Sequence, residues 1–194
     1  MNKLNQNDLL KLEDYAQQRS AFRANTMRHK KPRRVALGPN LALYFEDRLT
    51  MQYQIQEMLR VEKIFEPQEI REELDTYNAL IPDGNNWKAT CMIEYIDVEE
   101  RKLRLTQLKG IEDLIWVQVG DQSKVYAIAD EDLDRTNDTK TSAVHFLRFE
   151  LDQQSQDLVN QGADISAGVD HPNYTRAVVP LAEETRASLS ADLS

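Results

Sequence analysis

Three histidines, one cysteine and a scatter of carboxylates are the side chains of this 194-residue chain best suited to act on a ligand. His145 stands in TSAVHFLRFEL, where Ala143, His145, Leu147, Phe149 and Leu151 fall on one face of a strand. Burial is therefore expected, with a charge state set by the surroundings. Such a ring is a metal ligand, a general base, or a core histidine satisfied by a backbone carbonyl or a tyrosine. His171 lies in Gly168-Val169-Asp170-His171-Pro172, at a strand exit, where sheet-held loops present functional groups. Asp170 orients or charges that ring, or the Asp-His-Pro sequence forms a turn. With Glu57 or Asp170 as the carboxylate, the two histidines would make a two-His-one-carboxylate site. Glu57, His145, Asp170 and His171 are thus the candidate polar site, and His145 and His171 the candidate ligands of a metal or haem. No HExxH and no pair of Glu-x-x-His helices supports the set.

Asp130, Asp132, Asp134 and Asp138 resemble the opening of a calcium loop. Arg135 stands where the loop needs glycine, however, and Thr141 where it needs a bidentate Glu, so a solvated acidic loop is expected. Cys91 is the single cysteine, which excludes an intramolecular disulfide, a CxxC pair and a multi-thiolate zinc or iron–sulfur site within this chain. A reactive thiol needs exposure and nearby positive charge. Lys88 alone is near in sequence, so a small buried hydrophobe is expected. Six glycines, none clustered, leave no G-x-G-x-x-G and no G-x-x-x-x-G-K-[ST] loop, and nucleotide binding through such loops loses its support. The cofactor therefore stays unknown.

The elements that must position these residues can be read from period and punctuation. Asn7, Leu9, Leu12 and Ala16 predict a short capped helix, and Ser20 to Lys31 a second, ended by Pro32. RRVAL and LALYF around Gly38-Pro39-Asn40 predict a hairpin. Asp47 to Phe65 fits both periods at first, but the alternation fails at Glu57 and the composition favours helix. If that helix is packed on both sides, its Gln and Glu residues need partners. Pro67 opens the clearest amphipathic helix, through Ile70, Leu74, Tyr77 and Ile81 to Pro82. WKATCMIEYI predicts a strand, Asp97 and Glu100 a capped helix running to Gly110, and LIWVQV with KVYAIA a second hairpin. After the acidic loop come the His145 strand, a helix between Asp152 and Gly162, the strand ADISAGV, an edge strand RAVV and a terminal helix after Pro180. The fold class predicted is α+β: a mostly antiparallel sheet of hairpins covered by helices, with a short helical N-terminal appendage. Residues 1–32 form a helical basic segment and 33–194 a single α+β domain.

Net charge is −9, but Arg19 to Arg34 holds seven basic residues and His29 without an acid, so the rest of the chain carries −16. Arg23, Arg28, His29, Lys30, Lys31, Arg33 and Arg34 make an anion- or partner-facing patch, or a solvated helix end that complements the helix dipole. The acidic remainder and the lack of interleaved aromatics beyond Phe22 make nucleic acid a poor partner. An RNA-binding module is accordingly the weakest reading. No leader-like or membrane-spanning apolar stretch is seen, and a soluble cytoplasmic protein is expected.

RRVALGPNLALYFEDRLTMQYQIQEMLRVEKIFE, LIPDGNNWKAT, KTSAVHFLRFEL and GVDHPNY, in that order, resemble an uncharacterised bacterial family, a domain of unknown function, over nearly the whole length. Members of that family are often encoded beside rubrerythrin and a cysteine-rich iron–sulfur oxidoreductase. The resemblance implies a link to peroxide or electron-transfer metabolism and transfers no site residue. The expected function is that of an accessory or interaction protein of a cytoplasmic redox, oxidative-stress system, docking an acidic partner such as a rubrerythrin-like or iron–sulfur oxidoreductase protein. The alternative is a small metal- or haem-dependent enzyme using His145 and His171.

Overall fold

The computed structural model describes residues 2–137 and 139–193. Its helices are α1 (Leu12–Lys30), α2 (Arg48–Glu62), α3 (Pro67–Asn78), α4 (Val98–Gln107), α5 (Gln153–Asn160) and α6 (Glu183–Ser190). The strands are β1 (Arg34–Ala36), β2 (Leu41–Glu46), β3 (Asn86–Ile93), β4 (Ile115–Val119), β5 (Val125–Tyr126), β6 (Ile128–Ala129), β7 (Val144–Glu150), β8 (Ile165–His171) and β9 (Tyr174–Val178). The class is α+β, but the strands form two antiparallel sheets rather than one: β1-β2-β3-β7-β6 and β5-β4-β8-β9. Alternation explains the arrangement. Leu43, Phe45, Trp87, Ala89, Leu147 and Phe149 from the first sheet share one buried core with Ile115, Val117, Ile165, Ala167 and Val169 from the second. The residues between them face outward. Where Trp116 crosses β8, its indole lies over Gly168, and a Cβ there would come within 2.3 Å of the ring.

KVYAIA, expected as one strand, divides. Val125 and Tyr126 pair with β4, whereas Ile128 and Ala129 pair with β7, so the chain passes from one sheet to the other at Ala127. The two expected N-terminal helices are one. Asn5, not Asn7, caps a 3₁₀ turn at Gln6–Asp8. No Gly or Pro interrupts Leu12–Lys30, so Ser20 continues a helix instead of starting one. Glu13 and Asp14 at its start and Arg28, His29 and Lys30 at its end suit the dipole, and Pro32 follows in a 3₁₀ turn.

A second core, of Leu4, Met51, Ile55, Leu59, Leu74 and Ile81, joins the N-terminal segment to α2 and α3. The end of α3 meets the outer face of the first sheet where Lys88 Nζ donates to the Ala79 carbonyl at 2.8 Å. α1 is fixed to α2 largely by polar and aromatic contacts. Tyr15 and Phe22 meet edge to face, and Phe22 stacks on Tyr53. Buried Gln56 accepts from the Leu10 amide and donates to the Leu10 carbonyl. Arg19 Nε and Nη2 donate to the two Glu57 carboxylate oxygens at 2.7 and 2.8 Å, and the Tyr15 hydroxyl donates at 2.6 Å. The Arg19 fork, aided by Tyr15, holds the Glu57 carboxyl down to about 2 against the burial that raises it.

A carboxyl held low stabilises the fold above its unfolded range, and this contribution fades as pH falls toward the folded value. Glu57→Gln should therefore cost about 1–2 kcal/mol near neutral pH, a figure discounted for the partly exposed Arg19. The gap from the parent in urea unfolding should narrow as pH drops below the ordinary glutamate range and close as it approaches about 2. A gap independent of pH would refute the ion pair as its source.

Candidate functional site

The four residues of the predicted polar site do not come together as one site; each has its own partners. Glu57 joins α1 to α2, as described above. Asp170, on the outer face of β8, accepts from Lys124 Nζ at 2.7 Å and the Tyr126 hydroxyl at 2.9 Å, and Lys124 holds its carboxyl below the usual range. His171 is buried at the β8–β9 turn. Its Nδ1 accepts from the Asn173 amide at 3.1 Å, leaving Nε2–H to donate to the Lys109 carbonyl at 3.2 Å. Those bonds describe a neutral, structural ring. Among the described residues no group of three His, Cys, Asp or Glu side chains is arranged to hold a metal ion.

The basic run also divides. Arg23, Arg28 and Lys31 are exposed and Lys30 is half-buried. Arg34 stacks over Tyr44 at the sheet edge. Arg33 is sealed inside, where its guanidinium donates to the Phe45 and Glu46 carbonyls, to Ser188 and to Asp192 at 2.6 Å. His29 pairs with Asp47, which lies 3.5 Å from Arg33. Burial, with Asp47 adding its charge, pushes the Asp192 carboxyl up to about 6 although Arg33 draws it down. Arg33 thus acts inward, closing the C-terminal segment over the sheet, and His29 ties the end of α1 to the start of α2.

His145 is the centre of the most developed polar cluster. It is 0 % exposed and faces the inter-sheet core beside Cys91, its cross-strand partner. Its Nδ1 lies 2.6 Å from Asp130 Oδ2, and its Nε2 lies 2.8 Å from Thr141 Oγ1 and 3.1 Å from the Ser142 carbonyl. Carboxylate and carbonyl oxygens only accept, so Nδ1 donates to Asp130 and a hydrogen on Nε2 would serve the Ser142 carbonyl, whereas the Thr141 hydroxyl can accept from Nε2 or donate to it. Glu112 supplies a second carboxylate 3.9 Å from Nε2, accepting from Thr141 at 3.1 Å and from Thr136. A ring carrying both hydrogens would satisfy every partner and set a positive charge between the two carboxylates. Burial, with Glu112 and Asp130, raises the Cys91 thiol well above its ordinary range, so that thiol is inert packing.

Asp130 was expected in a solvated loop, and here the structure corrects the sequence reading. It adopts φ +51°, donates its backbone N–H to the Phe146 carbonyl of β7, and turns its carboxylate inward, where Oδ1 accepts from the Phe146 amide. Asp132 instead pairs with Arg135 in a fork of 2.6 and 2.8 Å, and Asp138 lies outside the described residues. Asp130, Glu112, Thr136 and Thr141 were missed as partners. The available signal was that a histidine on an apolar strand face demands acceptors; nothing in the spacing names them.

Thr136 and Asp130 pin the two ends of an exposed strap, Glu131 to Asp134, that borders an open groove of about 730 Å³. The end of α3 forms one wall with Tyr77, Ala79 and Leu80, and Lys88, Phe146 and Arg148 of the first sheet's outer face contribute the other side.

The fold and cluster define an α+β protein of two antiparallel sheets with a helical layer and a buried histidine network. Residues 3–193 match the model of the family described as "Protein of unknown function (DUF3501)", and the chain belongs to that family. It is similar to a solved structure, that of a novel protein of unknown function from Burkholderia pseudomallei K96243. The two are 47% identical over 100% of each chain, with a TM-score of 0.94. A comparison with curated proteins finds no match.

Removing the ring from the cluster leaves the Asp130 carboxylate facing the core without its donor and the Glu112 carboxylate without the neighbouring ring. His145→Leu should cost about 3–5 kcal/mol in urea unfolding, the range for breaking a buried ion pair. A loss below about 1 kcal/mol would show that the ring carries no buried charge.

Proposed function

We propose that this chain is an accessory, partner-binding protein of a cytoplasmic redox system, and that the redox centres reside in its partners. One observation carries the reading: the side chains best suited to chemistry are already occupied or sealed. Cys91 is buried, His171 is bonded at both nitrogens, Glu57 is held by Arg19 and Tyr15, and His145 is enclosed by its carboxylates. The family resemblance supports a partner of the rubrerythrin-like or iron–sulfur oxidoreductase kind. Binding is favoured over catalysis because a catalytic group must reach its substrate.

The docking face fitting an acidic partner is the exposed side of the last turns of α1. Arg23, Met27 and Lys30 recur three and four residues apart on one stripe, with Arg28 and Lys31 beside it. Met27, partly exposed between cations, offers an apolar centre with a charged rim. His29 and Arg33 contribute through the clamp that fixes this helix end. Exposed charges of this kind speed association and are screened over about 8 Å at physiological ionic strength.

Co-expression with a rubrerythrin-like protein and an iron–sulfur oxidoreductase, followed by purification at low salt, should recover a complex. Its affinity should fall several-fold as salt rises, and the Arg23→Glu/Arg28→Glu/Lys31→Glu variant, folded by circular dichroism, should lose it. Recovery of the lone chain at low salt with both candidates present would overturn the proposal.

A further inference from the structure

The groove beside the strap holds three cations deep and their carboxylates shallow. Arg148 Nε and Nη2 grip Glu131 with two bonds of 2.8 Å, yet the arginine side chain is 25% exposed and the glutamate 52%. Arg135 grips Asp132 in the same bidentate manner, at 17% against 57%. Lys88, at 11%, meets Asp83, at 43%. Each cation is also held independently of its exposed acid. Arg148 has Glu150, Arg135 reaches Asp130 and lies over the Phe146 ring at 4.5 Å, and Lys88 donates to the Ala79 carbonyl.

This asymmetry decides which kind of ligand fits. Displacing Glu131 and Asp132 returns two exposed carboxylates to water, where they are well solvated. A cationic ligand would instead take those carboxylates away and leave the half-buried guanidinium groups without them, at a larger desolvation cost. Planar guanidinium forks already engaged by carboxylates are matched in geometry to carboxylates. The strap can leave without unravelling the sheet, because Asp130 and Thr136 are anchored to His145 and Glu112 at its two ends. Tyr77, Leu80 and Phe146 supply apolar and aromatic surface between the cations, and about 730 Å³ suits a small molecule.

We propose that the groove between α3 and β7 binds a small organic acid carrying two carboxylates on an apolar body, with Arg148 and Arg135 taking the carboxylates in place of Glu131 and Asp132. The strap is then a built-in competitor that occupies the forks until the acid arrives. The site is separate from the docking face on α1 and stands whether or not a protein partner binds there.

Isothermal titration of the parent with glutarate and phthalate tests this, with glutaramide and cadaverine as the uncharged and cationic counterparts. The diacids should bind saturably and the counterparts should not. Glu131→Gln/Asp132→Asn, which removes the internal competitor, should bind the diacids several-fold more tightly. Arg148→Gln should lose binding, and Arg148→Lys, which keeps the charge but not the fork, should weaken it, with circular dichroism confirming that the variants are folded. The proposal is overturned if the double variant shows no saturable diacid binding up to about 10 mM, a range that would reveal even millimolar affinity. It is equally overturned by preference for cadaverine, or by binding that survives Arg148→Gln.

Discussion

The fully buried imidazole of His145, flanked by two carboxylates, is the constraint around which the candidate site is arranged. A buried polar group without hydrogen-bond partners is costly, so this ring must have them, and they come from three separate parts of the chain. Asp130 arrives from the end of β6, Glu112 from the turn before β4, and Thr141 and Ser142 from the approach to β7 itself. Meeting those demands fixes where the chain crosses between sheets and where the strap begins and ends. The groove's shape then follows from an interaction that its ligand need never touch.

Arg33 repeats the device where the C-terminal segment packs against the first sheet. It is enclosed by two strand carbonyls, Ser188 and Asp192, the last lying 159 residues away in sequence. Pairs of this kind add little net stability compared with an apolar core, because desolvation offsets the attraction. They penalise alternatives instead: an arrangement that separates Arg33 from Asp192, or His145 from Asp130, leaves a charge stranded. The apolar cores supply the driving force for collapse, and the buried polar pairs select which collapse is native.

Much of the fold was legible because periodicity and punctuation are local. The turn at Gly38, with φ +83°, the helical choice for Arg48–Glu62, the Pro67 start of α3 and the inward face of the His145 strand all follow from neighbouring residues. The need of Gln56 and Glu57 for partners was legible too, since a helix packed on both sides cannot leave them unpaired. What stayed hidden was the identity of partners. Alternation says that KVYAIA has a buried face but not that its halves belong to different sheets. A basic run reads as a surface patch, and only the tertiary fold turns Arg33 inward to an aspartate near the C-terminus. Glu57, His145, Asp170 and His171 looked combinable because spacing carries no distance, and the folded chain gives each its own neighbours.

The protonation state of His145 tests the central claim most directly, and His171 provides a control in the same molecule. Long-range proton–nitrogen correlation spectra at neutral pH should show both nitrogens of His145 protonated. His171 should show hydrogen on Nε2 and a bare Nδ1, as its bonds to Lys109 and Asn173 require. A neutral His145, with one nitrogen bare, would contradict the account, because Asp130 and the Ser142 carbonyl would then share a ring with only one hydrogen to donate.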